Sequence, residues 1–479
     1  GRQQLRQSGI ELPATADPMP DEMLLYYQVV TRTRRTLTLS YPAVDDRGQP
    51  LLPSSFLNAT LACFRPGAVP VERRRMLLEG LDRDRPLSPA EYRVRLAACG
   101  RAGLAASDGL PADLRDNLAD AADLVRLRFR EREHNPYDGL FRDARVVADV
   151  GRLFGPERVF SPTALEDYVA CPFRFFLRHV LRLEPLEEPR EEVEVTRRGQ
   201  AFHRALARLH RALQADGVHG PTEAVADRVR AEVSRAVEED VGRAPSPASK
   251  ELWRLEGERL LRVAGRYGGH WEKFLVPWAV RGVAPRPHLF EVDFGLPAAG
   301  AADPAGPLVV RAGDTEVRVS GRIDRVDVAE LPGGGVGFWV IDYKTGRATH
   351  YTGTDLAEFR RLQLTLYALA VEEVLLAGLD ARPLGLAYWL VAESGPKVAL
   401  PARNQVLWLD ETRRWREVRE QLRGWVATLA SRIRGGVFPL QPRSEHCTLT
   451  CSFGQVCRIT QARPVDKPGL LPLPGEDGT

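Results

Sequence analysis

Asp342 and Lys344 close the apolar run FWVIDYKTG with an acid and an amine, two residues apart. The chain writes nearly every cation as arginine, and lysine stands only at Lys250, Lys273, Lys344, Lys397 and Lys467. In an extended strand alternate residues share a face, so Phe338, Val340, Asp342 and Lys344 point one way and Trp339, Ile341 and Tyr343 the other. The strand before it, Glu316 to Val328, connects through the glycine-rich loop AELPGGGVG. A hairpin symmetric about Gly333 sets Asp324 directly across from Asp342, at about 5 Å, where like charges destabilise a sheet. A divalent cation between the two carboxylates removes that penalty. Hard oxygen ligands with open positions suit Mg2+ or Mn2+, which keep waters and accept phosphate oxygens. The nearby ammonium can hold or deprotonate an attacking water and neutralise a phosphorane-like transition state, while the ion supplies Lewis acidity. Arginine would not serve, because its guanidinium keeps its proton and its planar fork has a different shape. On spacing alone, an ion pair on a hairpin surface remains the plain alternative.

The elements that must position these groups are legible around them. VFSPTALEDYVACPFRFFLRHVL opens a unit near residue 155, with Ser161 as N-cap and Pro162 at the first helical position. A long helical region from Arg197 to about Phe274 follows. Strands are expected at HLFEVDFGL, at TEVRVSGRIDRVDV and at GFWVIDY, then a helix at LAEFRRLQLTLYALAVEEVL and a strand at LGLAYWLV. This order describes an α/β core. Upstream, EMLLYYQVVTRTRRTLTLSYP alternates like a strand, and runs such as PADLRDNLADAADLVRLRFRER read as amphipathic helices. In the first long helix Phe202, Leu206, Leu209 and Leu213 form the core stripe, with His203 at its edge and Gly199 one turn before it. His210 lies further along without that glycine. In the later helix Leu362, Leu366 and Leu369 face the core, leaving Gln363 and Tyr367 adjacent on the flank.

Asp324 in GRIDRVD, followed by Asp342-Tyr343-Lys344, resembles the PD-(D/E)XK nuclease signature in the aspartate form of RecB-family nuclease domains. Gly199 to His203 looks like the Gly-x-x-x-His helix of the same enzymes, and Gln363 to Tyr367 resembles their Gln-x-x-x-Tyr motif. The resemblance implies that Asp324, Asp342, His203 and the Tyr343 backbone carbonyl hold Mg2+ or Mn2+. It further implies that Lys344 serves catalysis with the two acids, and that Gln363 and Tyr367 place DNA near the metal. The fold it implies is a PD-(D/E)XK, restriction-endonuclease-like core with helical elaborations.

Six cysteines in a chain expected to be cytoplasmic are more apt for metal than for disulfides. Cys447, Cys451 and Cys457 supply three thiolates and Cys171 a fourth, while Cys63 and Cys99 read as small buried residues. Four such ligands suit zinc or an iron-sulfur cluster, and spacing does not decide. One cysteine before the nuclease core and three after it resemble the 4Fe-4S staple of AddB-type helicase-nuclease subunits. This chain departs in having three residues between Cys447 and Cys451 where the family usually has two.

YYQVVTRTRRTLTLSYP resembles motif VI of superfamily 1 helicases, which makes Arg32 a remnant of a nucleotide site; no G-x-x-x-x-G-K-S/T loop exists to cradle phosphates. The expected organisation is a helicase-like C-terminal remnant over residues 1–60, a helical connecting region over 61–155, a RecB-like nuclease domain with iron-sulfur cluster over 156–462 and a tail over 463–479. The start without Met suggests a fragment of a longer chain. The net charge of +3 permits nucleic acid without demanding it, and no apolar run is long enough to span a bilayer. The resemblance implies a bacterial, cytoplasmic exonuclease subunit that processes double-strand breaks for recombination. It would trim the 5'-ended strand of single-stranded ends beside an AddA-type partner. The alternative is a DNA-holding scaffold that does not cut and whose metal cluster is architectural.

Overall fold

The computed structural model describes residues 19–43, 50–72, 111–129, 134–184, 195–296, 305–331, 333–345, 355–356, 358–391, 395–400, 412–441, 447 and 451–457. The expected tail over 463–479 and Cys99 lie outside the described residues. Two compact units divide the chain, Gly1–Ala119 and Asp120–Thr479. In the first, α1 (Met19–Thr31) and α2 (Ser55–Ala62) are helices, followed by α3 (Ala112–Phe129), which ends in the second unit. The segment expected as a strand from residue 22 therefore begins as a helix. Its Leu, Met and Gln residues lose little rotamer freedom in a helix, and local bonds satisfy a backbone that no described strand pairs. Cys63 is also a correction: it caps α2, a short helix without a buried residue, and is exposed.

The second unit is built on a five-stranded sheet in the order β2-β5-β6-β7-β8. These strands are β2 (Arg286–Phe294), β5 (Gly321–Glu330), β6 (Val336–Lys344), β7 (Ala381–Leu390) and β8 (Gly395–Leu400). All neighbours run antiparallel except β6 and β7, which are parallel and joined through α11 (Gln363–Ala370). A smaller sheet holds β1 (Val159–Phe160), β4 (Thr315–Val319) and β3 (Leu308–Ala312). The stretch TEVRVSGRIDRVDV is thus two strands in two sheets, not one. The chain changes sheet at Ser320–Gly321, and a Cβ on Gly321 would come within 2.8 Å of the Tyr367 ring and 3.1 Å of Phe294. Only glycine lets the tyrosine approach the backbone there.

Helices cover both faces of the large sheet. On one face lie α5 (Pro162–Ala170), α11 and α12 (Thr412–Arg434), with Val326, Phe338, Val340 and Leu386 in their shared core. On the other lie α7 (Val195–Ala215), α8 (Val225–Arg243), α9 (Pro247–Ala264) and α10 (Tyr267–Ala279), packed over Trp339, Ile341, Tyr343 and Trp389. The alternation of β6 expected from its sequence is therefore what divides the two cores. Phe202, Leu206, Leu209 and Leu213 are all buried, as the 3.6-residue period requires. Ser161 caps α5 by accepting from Ala164 N, 3.1 Å, with Pro162 at the first position. α11 starts at Gln363 rather than near residue 356, after Phe359 takes a left-handed φ of 52°, and passes into a π turn at Val371–Leu375. Among the described residues no helix is long and apolar enough to cross a membrane.

Candidate active site

β5 and β6 form the hairpin that carries the acids. Gly333, Gly334 and Gly335 take φ of 103°, 94° and 81°, a left-handed run that non-glycine residues rarely adopt, and this turn fixes the register. The ladder pairs Val328 with Phe338, Val326 with Val340 and Arg325 with Ile341. The next step beyond Arg325 and Ile341 sets Asp324 against Asp342, in the register expected from symmetry about Gly333. Both carboxylates are buried, at 9% and 2% exposure.

On the even face of β6, Lys344 Nζ lies 2.6 Å from Asp342 Oδ2 and donates to Gln363 Oε1 at 3.4 Å. Gln363 Nε2 donates to Asp342 Oδ1 at 3.0 Å and lies 3.2 Å from the Tyr367 hydroxyl. Asp342, Lys344, Gln363 and Tyr367 thus form one bonded group. Tyr367 is buried rather than free on the helix flank, its ring edge-on to Phe294. Burial and the charge of Asp324 push Asp342 up to about 6, against the pull of Lys344.

From the other layer α7 brings His203. Its Nε2 donates to the Tyr343 carbonyl at 3.0 Å, while Nδ1 faces Asp324 Oδ1 at 3.3 Å and Glu291 Oε1 at 3.5 Å. Asp324 Oδ2 accepts from Tyr343 N at 2.7 Å. Burial alone would lower His203, but Asp324, Glu291 and Asp342 outweigh it and hold the imidazolium up to about 10. Gly199 faces Thr345 Oγ1 at 3.6 Å, so the helix start runs beside the end of β6. His210, the rival histidine, is buried against Tyr267 and Arg325, and burial and that guanidinium keep it well below its ordinary value.

Glu291 is a site residue that the sequence pattern did not single out. It lies on β2 between Phe290, paired with Arg325, and Val292, paired with Ile323, and so opposite Asp324. Glu291, Asp324 and Asp342 therefore stand in a row across three neighbouring strands. Glu291 has a φ of 45°, a strained conformation inside a strand, and its Oε1 is buried with the His203 imidazole as its near neighbour. The strand signal in HLFEVDFGL was visible, but β2 pairs with β5 across two intervening strands, so no hairpin loop sets its register. Ligand atoms of His203, Glu291 and Asp324 lie within 4.8 Å of one another. Three carboxylates, one imidazole and a carbonyl converging on one point are a donor set suited to a hard divalent cation.

The profile of the PD-(D/E)XK nuclease superfamily matches residues 159–458. The chain belongs to the PD-(D/E)XK nuclease superfamily. The match takes in the whole sheet and every site residue named above. Among curated proteins, the chain is similar to the AddB subunit of the ATP-dependent helicase/deoxyribonuclease of Symbiobacterium thermophilum, 31% identical over 89% of this chain and 36% of that protein. It is 30% identical to the protein of the same name from Desulforudis audaxviator, over 86% of this chain and 36% of the relative. That of Bacillus licheniformis is 25% identical over 84% and 34%. The chain spans about a third of the length of these relatives.

The cysteines outside the PD-(D/E)XK sheet sit at its two chain ends. Cys171 ends α5, and burial raises its thiol although backbone N–H groups of Arg174, Phe173 and Gln441 bond to it; Cys451 adds to the rise. Phe173 N donates to Pro439 O at 3.2 Å, so the C-terminal segment runs beside Cys171. Cys451 N donates to Cys447 O at 2.8 Å, and Cys457 closes the turn α13 (Gly454–Cys457). All four are free thiols of intermediate exposure. Arg32 follows α1 in the first unit and is exposed.

Proposed function

We propose that the chain is the nuclease part of a helicase-nuclease subunit and hydrolyses DNA phosphodiesters with Mg2+ or Mn2+. The observation that carries this reading is the meeting of Asp324, Asp342 and Lys344 at the open end of one hairpin, with His203 and Glu291 arriving from separate elements. Asp324, Asp342, His203 and the Tyr343 carbonyl would hold the ion, with Glu291 as a further ligand. When bound, the ion would supply Lewis acidity toward a phosphate oxygen. Lys344 orients the attacking water and balances charge that builds on the phosphate oxygens. Gln363 holds both Asp342 and Lys344 in place, and Tyr367 flanks the strand. Release of the His203 proton frees its imidazole as a donor.

The AddB relatives carry the words helicase and deoxyribonuclease in their names, which favours single-stranded DNA ends as substrate and an AddA-type motor protein as partner. On this reading the site trims the 5'-ended strand at double-strand breaks. Cys171, Cys447, Cys451 and Cys457 hold a 4Fe-4S cluster that joins the two ends of the domain. The backbone N–H groups aimed at Cys171 favour a thiolate there, as a cluster requires. Arg32 belongs to a nucleotide site completed by residues beyond this chain.

The test is degradation of single-stranded DNA in Mg2+ by wild type and Asp342→Ala, beside iron and zinc analysis of the purified protein. Cleavage lost in the variant and iron with sulfide in the protein are expected. Equal rates remove the assignment, and salt-sensitive DNA binding without cleavage in any metal indicates a scaffold.

A further inference from the structure

The helix that presents Gln363 has no cap of its own. α11 follows Leu362, whose apolar side chain cannot accept from the first-turn N–H groups. Those groups are met by Glu166, 196 residues earlier in the chain, on α5. Its Oε1 accepts from Leu362 N at 2.8 Å and from Gln363 N at 2.9 Å, and its Oε2 accepts from Arg361 Nη1 at 3.1 Å. The Glu166 side chain is 11% exposed and that of Arg361 43%, so the carboxylate is committed to the helix start while the guanidinium reaches solvent. A negative charge at a helix N-terminus is also favoured by the backbone dipole.

α5 is itself held firmly. Asp167, beside Glu166 and buried, pairs with Arg174 at 2.9 Å and His179 at 2.9 Å on the turns beyond Cys171. At the other end of the connection, the Gln363 amide bonds to Asp342 through nitrogen and to Lys344 through oxygen. Such a two-ended contact depends on the helix start being fixed to a fraction of an ångström.

We infer that Glu166 is a positioning residue of the site: it clamps the first turn of α11 and thereby sets Gln363 between the acid and the lysine. It touches neither the reacting atoms nor the ligands of the ion. The inference rests on the nuclease reading above and adds a group that none of the motifs contains. Through it the helix that ends at Cys171 bears on the geometry at Asp342.

The experiment compares single-stranded DNA degradation by the intact protein and its Glu166→Ala, Glu166→Gln, Gln363→Ala and Glu166→Ala/Gln363→Ala variants, with amide hydrogen exchange measured over residues 359–367. Glu166→Ala should lower kcat roughly tenfold or more with KM little changed, since two bonds to a charged acceptor are lost. Exchange at Leu362 and Gln363 should accelerate in the same variant. Glu166→Gln, whose amide oxygen still accepts, should recover most of both. In the Gln363→Ala background the change at residue 166 should cost no further rate, because the two act as one unit. Additive losses in the double variant, or unchanged exchange in Glu166→Ala, overturn the inference. A wild type that cuts DNA in no metal removes the nuclease reading instead, and exchange alone then decides whether the clamp exists.

Discussion

Two charged clusters sit back to back on β5 and β6, one residue out of step. On one face Arg325, fully buried, pairs with Asp327 through both carboxylate oxygens at 2.6 and 2.7 Å. It also donates to the Tyr267 and Tyr343 hydroxyls and lies over the rings of Trp271 and Trp389. Cation and anion are matched and every direction is closed. On the other face and at the strand ends, three carboxylates, Glu291, Asp324 and Asp342, share two contacting cations, Lys344 and His203, among the described residues. The histidine must stay protonated for the balance to hold. A sheet that buries charge for stability matches it; here the neighbouring cluster leaves an excess of oxygen ligands, which is what a divalent cation needs.

That contrast can be broken from either side. Asp342→Ala should cut DNA degradation by roughly a thousandfold or more while leaving thermal stability unchanged or slightly higher, because it removes a crowded negative charge along with a cation ligand. Arg325→Met should do the reverse. It leaves Asp327 buried and uncompensated, at a cost of about 3 to 5 kcal/mol in urea unfolding, and any fall in cleavage should follow the folded fraction. Mg2+ at about 100 times its dissociation constant should raise stability by about 2.7 kcal/mol in wild type and by much less in Asp342→Ala.

The last prediction concerns pH. An ion displaces the proton from each titrating ligand, so its affinity rises with pH until that ligand is already deprotonated. With Asp342 near 6 and His203 near 10, both protons must leave below about pH 6 and only the histidine's above it. Mn2+ affinity should therefore climb roughly tenfold per pH unit between about 6.5 and 8.5, and more steeply below 6. His203→Gln should flatten the upper slope, which titration calorimetry would read.

Much of this arrangement was legible because it is local. The glycine-rich loop between β5 and β6 fixed the Asp324–Asp342 register, and period-two alternation placed Lys344 with Asp342. The 3.6-residue period put His203 beside a buried stripe and Gln363 next to Tyr367. What escaped the reading depends on distant pairing. Glu291 comes to Asp324 only because β2 pairs with β5 across two intervening strands, and Glu166 reaches α11 from the far end of the domain. The switch of sheet at Gly321 was hidden because both halves of TEVRVSGRIDRVDV alternate equally well. The helix α1 was read as a strand because short apolar runs fit either period, and only a pairing partner separates them. Cys63 was expected inside on residue type alone, yet α2 offers it no cover.

Diffraction from Mn2+-soaked crystals at the manganese absorption edge tests the central claim most directly. The account predicts an anomalous peak at coordination distance, about 2.0 to 2.3 Å, from carboxylate oxygens of Asp324 and Asp342 and from the Tyr343 carbonyl, with Lys344 Nζ close by. Soaked crystals with no peak there, and both acids still paired only with Lys344 and His203, would contradict it.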